Sequence, residues 1–328
     1  MLQKLENEIF QIKDDKDFNR VAIKVFLYQK NNNPVYQTYL SHLGKQSLIP
    51  EHYSQIPFLP VEFFKTHIVK SFTGPEEILF TSSGTTGSAT SKHFIKKTSL
   101  YENAFLKGFE MFYGNPAEYC FLALLPSYLE RQGSSLVYMA QKLMKASNHP
   151  LNGFYLNDFE KLHNTLTLLE NRQQKTILLG VSFALLDFAE KYALPLKHTI
   201  VMETGGMKGR RKEITRAELH AVLSKSFGIK DIHSEYGMTE LLSQAYSKTK
   251  GRFYAPPWMK VLIRDITDPF ALVETGKSGG VNIIDLANLY SCSFIATQDI
   301  GRLLPNNSFE ILGRFDFSDV RGCNLMVV

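Results

Sequence analysis

The chain has 328 residues, of which 44% are hydrophobic, 21% charged and 12% aromatic, with a formal charge of +5. That balance excludes a disordered polymer, and so small a charge predicts no nucleic-acid partner, although Lys208, Arg210, Arg211 and Lys212 form one basic cluster expected at a solvated helix entrance. Cys120, Cys292 and Cys323 form no C-x-x-C pair and build no disulfide framework, Met1 to Asp17 lacks the apolar core of a signal peptide, and no eighteen apolar residues run together. A cytoplasmic protein without a membrane span is expected.

Apolar residues at helical spacing (Phe18, Val21, Ala22, Val25, Phe26) predict a helix over Phe18–Tyr28. Pro34–Leu43 reads as a second helix closed by Gly44, and the two are expected to form a cap. Pro57 and Pro60 punctuate Ile56–Lys65, which predicts extended chain. The apolar run Ile78–Thr81 then empties into Ser82-Ser83-Gly84-Thr85-Thr86-Gly87-Ser88, with a helix expected near Leu100–Tyr113. Strand and helix alternate from there: Tyr119–Leu125 with Ser134–Ala146, Thr176–Leu179 with Phe183–Tyr192, Thr199–Met202 with Ile214–Phe227, and then Asp231–Tyr236. Such repetition implies right-handed crossovers and an α/β fold with mainly parallel sheets and flanking helices. After Trp258 short β runs, Met259–Ile263, Gly280–Ile284 and Phe309–Leu312, predict a smaller C-terminal β subdomain. The expected organisation is 1–76 for the helical cap and extended segment, 77–257 for an α/β core, and 258–328 for the β subdomain, hinge and tail.

The hydroxyl-rich loop has the make-up of a phosphate cradle. Gly84 and Gly87 let main-chain N–H groups approach an anion, and Ser82, Ser83, Thr85 and Thr86 add donors. Ser88 stands where a Walker-type loop needs lysine, which argues against that class; a polar surface turn is the plain alternative. A second cluster closes the strand at Tyr236-Gly237-Met238-Thr239-Glu240: a flat ring for a purine, a glycine for close approach, a hydroxyl for phosphate and a carboxylate for Mg²⁺. The histidines show no metal-ligand spacing.

Together these two segments resemble the T-S-G-T-T-G and Y-G-x-T-E signatures of the adenylate-forming superfamily, which includes acyl-CoA synthetases, luciferases and peptide-synthetase adenylation domains. Further along, Gly205-Gly206-Met207 resembles that family's glycine turn under the adenine, Thr297-Gln298-Asp299-Ile300-Gly301-Arg302 its T-G-D-x-G segment, and Leu312-Gly313-Arg314-Phe315-Asp316 its G-R-x-D hinge. The resemblance runs from about Ile78 onward. It implies the fold of the large N-terminal domain of those enzymes, with ATP and Mg²⁺ as cofactors and a carboxylic acid as substrate. It assigns the Ser82–Thr86 loop to the β- and γ-phosphates, Thr239 to the α-phosphate, Glu240 to Mg²⁺, Tyr236 to the adenine, and Asp299 and Arg314 to the ribose.

Two departures narrow the resemblance. The loop lacks the usual Pro-Lys, leaving Lys92 without an assigned role, and the sequence given stops fourteen residues after Arg314, without the family's mobile C-terminal domain. That layout, with Ile56–Lys65 and Arg321-Gly322-Cys323, is similar to LuxE-type acyl-protein synthetases. The narrower match implies a fatty acid, and transfer of its acyl group to Cys323. A carrier-protein thiol, coenzyme A or a partner acyl reductase stand as the other acceptors. Two alternatives come from other classes. Ser182, in Gly180-Val181-Ser182-Phe183-Ala184, stands near a nucleophile elbow with Asp231 and His233 in suitable chain order for a serine acyl hydrolase, although Ala184 replaces the last glycine. An adenylate-type fold without turnover would be a binding protein.

Overall fold

A computed structural model describes residues 2–82, 89–125, 133–205 and 214–315. Among these residues, twelve strands make one mixed sheet. Its parallel half runs Gly153–Phe154, Cys120–Leu124, Thr176–Val181, Thr199–Thr204, His233–Tyr236. At His233–Tyr236 the direction changes: Ala245–Ser247 pairs with it antiparallel, and Phe253–Tyr254, Phe309–Arg314, Phe294–Leu303, Ser278–Asp285 and Met259–Arg264 continue the antiparallel half. The fold class is α/β as expected, with the C-terminal β strands joined to the same sheet.

The parallel strands are the apolar runs. Thr176–Val181 is buried along its whole length, as a strand covered on both faces must be. Two of the covering helices begin at clear side-chain caps. Ser134 accepts from the Val137 N–H before Ser135–Ser147, and Thr215 and Glu218 form a reciprocal capping box before Arg216–Phe227. The Phe159–Asn171 helix was absent from the sequence expectation, yet its signals were there: Asp158 caps it, and Leu162, Leu166 and Leu169 fall on one buried face.

Other expectations need correction. Ile78–Thr81 does not lead into a crossover helix; it pairs antiparallel with Lys92–Ile95 in a separate two-stranded sheet, so the hydroxyl-rich stretch joins the arms of a hairpin. The second arm alternates buried His93 and Ile95 with less buried neighbours, a period-2 pattern hidden beside the more conspicuous loop. Within Ile56–Lys65, Leu59–Pro60 is extended and pairs parallel with Ile295–Ala296, but Phe63–Thr66 forms one helical turn. The last strand of the parallel half begins at His233 rather than Asp231.

The N-terminal helices, Leu2–Ile9, Asp15–Asn32 and Pro34–His42, pack into the body of the molecule. Phe26 stands edge-on to Phe294 and Tyr36, and the fully buried Gln29 side chain donates to the Asn288 and Leu289 carbonyls and the Ser293 hydroxyl while accepting from the Ser293 N–H. No helix among the described residues is long and apolar enough to cross a membrane.

Candidate active site

Tyr236, on the strand where the sheet changes direction, meets two residues of the antiparallel half, Asp299 and its ladder partner Arg314. Asp299, 7% exposed, accepts a hydrogen bond from the Tyr236 hydroxyl at 2.7 Å on one carboxylate oxygen. On the other it pairs with the Arg314 Nε at 3.0 Å. Burial, reinforced by the Asp299 charge, holds the Tyr236 phenol well above its ordinary range, so it remains a donor. The Tyr236 ring packs edge-to-face with Phe253 and Phe309. Tyr236 thus orients Asp299, a contact that its expected place beside the adenine did not foresee.

Two irregularities of pairing aim Asp299. On one side Gly280 pairs with Ile300 and Asn282 with Ala296, so Thr297, Gln298 and Asp299 all oppose the single residue Val281. The Thr297 hydroxyl closes this bulge, donating to the Val281 carbonyl at 2.9 Å and accepting from the Asp299 N–H at 3.1 Å. On the other side the register slips by one residue between Gly301–Ile311 and Ile300–Gly313, which brings Arg314 opposite Asp299 and leaves Leu312 as the unpaired residue, 51% exposed. The Gln298 side-chain amide donates to the Glu62 carboxylate, and its main-chain carbonyl accepts from the Phe315 N–H at 2.8 Å. Glu62 and Gln298 also line a cleft of about 810 Å³ between the N-terminal segment and these strands, whereas Asp299 faces Tyr236.

The turn after Tyr236 is held from below. A Cβ at Gly237 would lie 2.4 Å from the Glu235 carboxylate, so any side chain there would have to displace that buried group. Thr239 is partly exposed. Glu240, 5% exposed, has its carboxyl pushed above the ordinary range by burial, against the bond from the Ser91 hydroxyl and the charges of Arg314 and Lys65. Ser91 also donates its N–H to the Ser82 hydroxyl at 2.9 Å, and the Ser82 N–H returns to the Ser91 carbonyl at 3.1 Å. The base of the hydroxyl-rich loop is therefore tied directly to Glu240. His93, on the same strand as its neighbour Ile95, places Nδ1 2.7 Å from the Thr239 carbonyl; burial pushes its imidazole down to about 4.

Buried acids surround the parallel strand ends. Glu235 accepts from the Thr204 hydroxyl, and burial raises its carboxyl to about 7. Glu203 experiences the same burial, but His220, the Arg216 charge and Ser234 outweigh it and hold the carboxyl low. Asp285 collects the Leu242, Ser243 and Ala287 N–H groups and the Ser243 hydroxyl, and so anchors the chain beyond Glu240. Sequence reasoning missed Glu203, Glu235, Asp285 and His93. Glu203 had an available signal, a charged residue directly after the apolar run Ile200-Val201-Met202.

Gly205 ends its strand with φ of 70°, a left-handed turn that glycine makes without strain, and its carbonyl accepts from Ser182 at 2.8 Å. Gly206, Met207, Ser83, Gly84, Thr85, Thr86, Gly87, Asp316 and Cys323 lie outside the described residues. The hydrolase alternative is not assembled. Ser182 is 3% exposed and bonded to Gly205 and Glu203, His233 faces the Tyr113 hydroxyl, and Asp231 accepts from Thr249. A nucleophile needs a base within reach, and none of the expected partners supplies one.

The described residues fit both expected cofactors. Among them no group of three or more His, Cys, Asp or Glu residues gathers as a metal cage. A single buried carboxylate beside hydroxyls suits Mg²⁺, which keeps most of its shell from phosphate and water, and an arriving cation relieves the cost of ionising Glu240. Asp299 and Arg314 offer adjacent acceptor and donor groups suited to a vicinal diol.

No protein-family model and no curated protein matches the chain. Solved structures do. Against an open conformation of 2-hydroxyisobutyryl-CoA ligase in complex with 2-HIB-AMP and CoA, the TM-score is 0.68 at 12% identity, covering 93% of this chain and 72% of that one. Against ATP-bound MatB from Rhodopseudomonas palustris it is 0.55 at 17% identity, covering 74% and 49%. Against a luciferase-like enzyme from the nonluminescent Zophobas morio mealworm it is 0.51 at 16% identity, covering 74% and 59%. The chain spans about half the length of the MatB structure it matches. Identities this low speak for architecture: what the chain shares with these proteins is the fold of the large N-terminal domain of adenylate-forming enzymes.

Proposed function

We propose that this protein activates a carboxylic acid with ATP, releasing pyrophosphate and forming an acyl-adenylate. The observation that carries the reading is Asp299 held between Tyr236 and Arg314, with the Arg314 charge also acting on Glu240. A carboxylate oxygen attacks the α-phosphorus, the bond to the bridging β-oxygen breaks, and pyrophosphate takes the electron pair. Nucleophile and leaving group are both anionic, so the residues serve mainly by positioning and neutralising charge. Asp299 and Arg314 grip the ribose and fix the nucleotide. Thr239 donates to the α-phosphate as charge develops there, and the hydroxyl-rich loop, anchored at Ser82, follows the departing phosphates. Mg²⁺, held by Glu240, would lower the charge on the phosphate oxygens.

The acyl-adenylate then passes its acyl group to a thiol, expelling AMP. Cys120 and Cys292 are buried, and burial pushes both thiols up to about 12, so neither is a nucleophile near neutral pH. Cys323 is the acceptor in this proposal, with a fatty acid as substrate, in the manner of LuxE-type acyl-protein synthetases. Carboxylate-dependent ATP–pyrophosphate exchange tests the first step. Exchange is expected with a fatty acid, and Thr85→Val with Thr86→Val should reduce it at least about 100-fold without altering the circular dichroism spectrum. Absence of exchange with every acid from short to long chain would leave a binding protein in its place. Radioactive acyl labelling tests the second step: hydroxylamine-sensitive label should vanish in Cys323→Ser.

A further inference from the structure

Two consecutive carbonyls of the Thr239–Glu240 turn are held by side chains from two distant elements. His93, from the second arm of the hairpin, reaches the Thr239 oxygen at 2.7 Å, and Asn288 Nδ2, from the Leu286–Asn288 helical turn, donates to the Glu240 oxygen at 2.7 Å. A carbonyl only accepts, so His93 carries its proton on Nδ1 and Asn288 presents its NH₂ group. The remaining atoms, His93 Nε2 and Asn288 Oδ1, are buried with no hydrogen-bond partner among the described residues. Both side chains are at most 1% exposed. An imidazole and an amide half-satisfied in a core cost stability relative to apolar residues of similar size. What they have in common is the turn that carries Thr239 and Glu240.

We propose that His93 and Asn288 are paired positioning residues that clamp this turn, fixing the Thr239 hydroxyl and Glu240 carboxylate relative to the phosphate loop. The inference rests on the proposed adenylation for its purpose, but the clamp itself is a property of the free protein. His93 is the stronger arm. It sits on the strand Lys92–Ile95, which directly follows Ser91, the residue bonded to both Ser82 and Glu240, so one continuous segment sets the loop base, the carboxylate and the Thr239 main chain together. The Asn288 arm extends the grip to the N-terminal helices, because the Asn288 carbonyl accepts from Gln29.

Hydrogen–deuterium exchange on the ligand-free full chain tests the clamp without reference to activity. In His93→Phe, which keeps an aromatic ring against Phe64 but has no donor, the Met238–Leu241 amides should exchange at least about tenfold faster while those of Phe80 and Ile95 keep their protection. His93→Asn, whose amide nitrogen takes the place of Nδ1, should restore protection. In pyrophosphate exchange, His93→Phe should lower kcat about 10- to 100-fold with the KM for the acid unchanged, and His93→Asn should recover most of it. Unchanged protection of the turn in His93→Phe would overturn the clamp whatever the activity. A loosened turn with undiminished kcat would overturn its positioning role. Should His93→Phe fail to fold, Asn288→Leu carries the same two measurements. Absence of exchange activity in the unmodified protein would count against adenylation and leave the deuterium result standing.

Discussion

At the scale of single residues, Glu235 is the group whose state depends most on its surroundings. Its carboxyl is wholly buried near Tyr101, Tyr113 and Tyr246, and its pKa stands at about 7 against an ordinary 4.5. The folded chain therefore binds this proton more tightly than the unfolded chain. The associated stabilisation is fully present below pH 4.5 and is lost as pH rises through about 7. Glu235→Gln keeps a side chain of the same shape that never ionises. Urea unfolding of both proteins at about pH 5 and about pH 8 should show the variant gaining stability relative to the parent at the higher pH. A difference that does not change between the two would mean that Glu235 is ionised throughout. Asp299 is partnered differently: Arg314 and Tyr236 bond it, whereas among the described residues Glu235 accepts from the Thr204 hydroxyl.

Elements were legible to the extent that their pattern was local. Apart from the Gly153–Phe154 strand and the Phe159–Asn171 helix, the parallel strands and their covering helices followed from apolar runs and helical spacing, and the motif residues were read from composition around glycine. The Phe294–Leu303 strand was not foreseen because its T-Q-D segment bulges against Val281, so alternation breaks at the residues that matter. Nor could sequence reveal that Tyr236 touches Asp299, since that contact joins strands 63 residues apart. The register slip at Leu312 is likewise invisible without pairing partners, and it makes a specific prediction. Leu312 is the residue that the ladder leaves over, so deleting it preserves Asp299 opposite Arg314. ATP affinity, measured by calorimetry, should stay within about threefold of the parent, a change of roughly 0.6 kcal/mol. A loss of binding would show that the bulge itself, rather than the pairing it permits, holds the site.

For the whole molecule, the question is whether the N-terminal helices behave as an attached cap or as part of the folding unit. Gln29 answers in structural terms, since its four hydrogen bonds join the Asp15–Asn32 helix to residues 288–293. Phe26 packs on Phe294 in the same seam, and Tyr28 donates to the Ser71 carbonyl. Gln29→Leu removes these bonds and leaves buried carbonyls unpaired, which should destabilise the protein by roughly 2–4 kcal/mol. Denaturation followed by both far-ultraviolet dichroism and Trp258 fluorescence should remain a single transition at lower urea. Two separated transitions would mark the N-terminal helices as an independent unit.

The reversal of strand direction at His233–Tyr236 divides the candidate site into two kinds of construction. Gly205, Gly237, Thr239 and Glu240 stand on connections after parallel strands, while Asp299 and Arg314 stand within a ladder, each pinned by the neighbour it pairs with. Lengthening a connection changes how far its groups extend and leaves the ladder untouched. Shifting the ladder by one residue replaces the groups outright. The reach of the groups on the connections can therefore diversify by insertion, whereas the meeting of Asp299 with Arg314 is an all-or-nothing matter of counting.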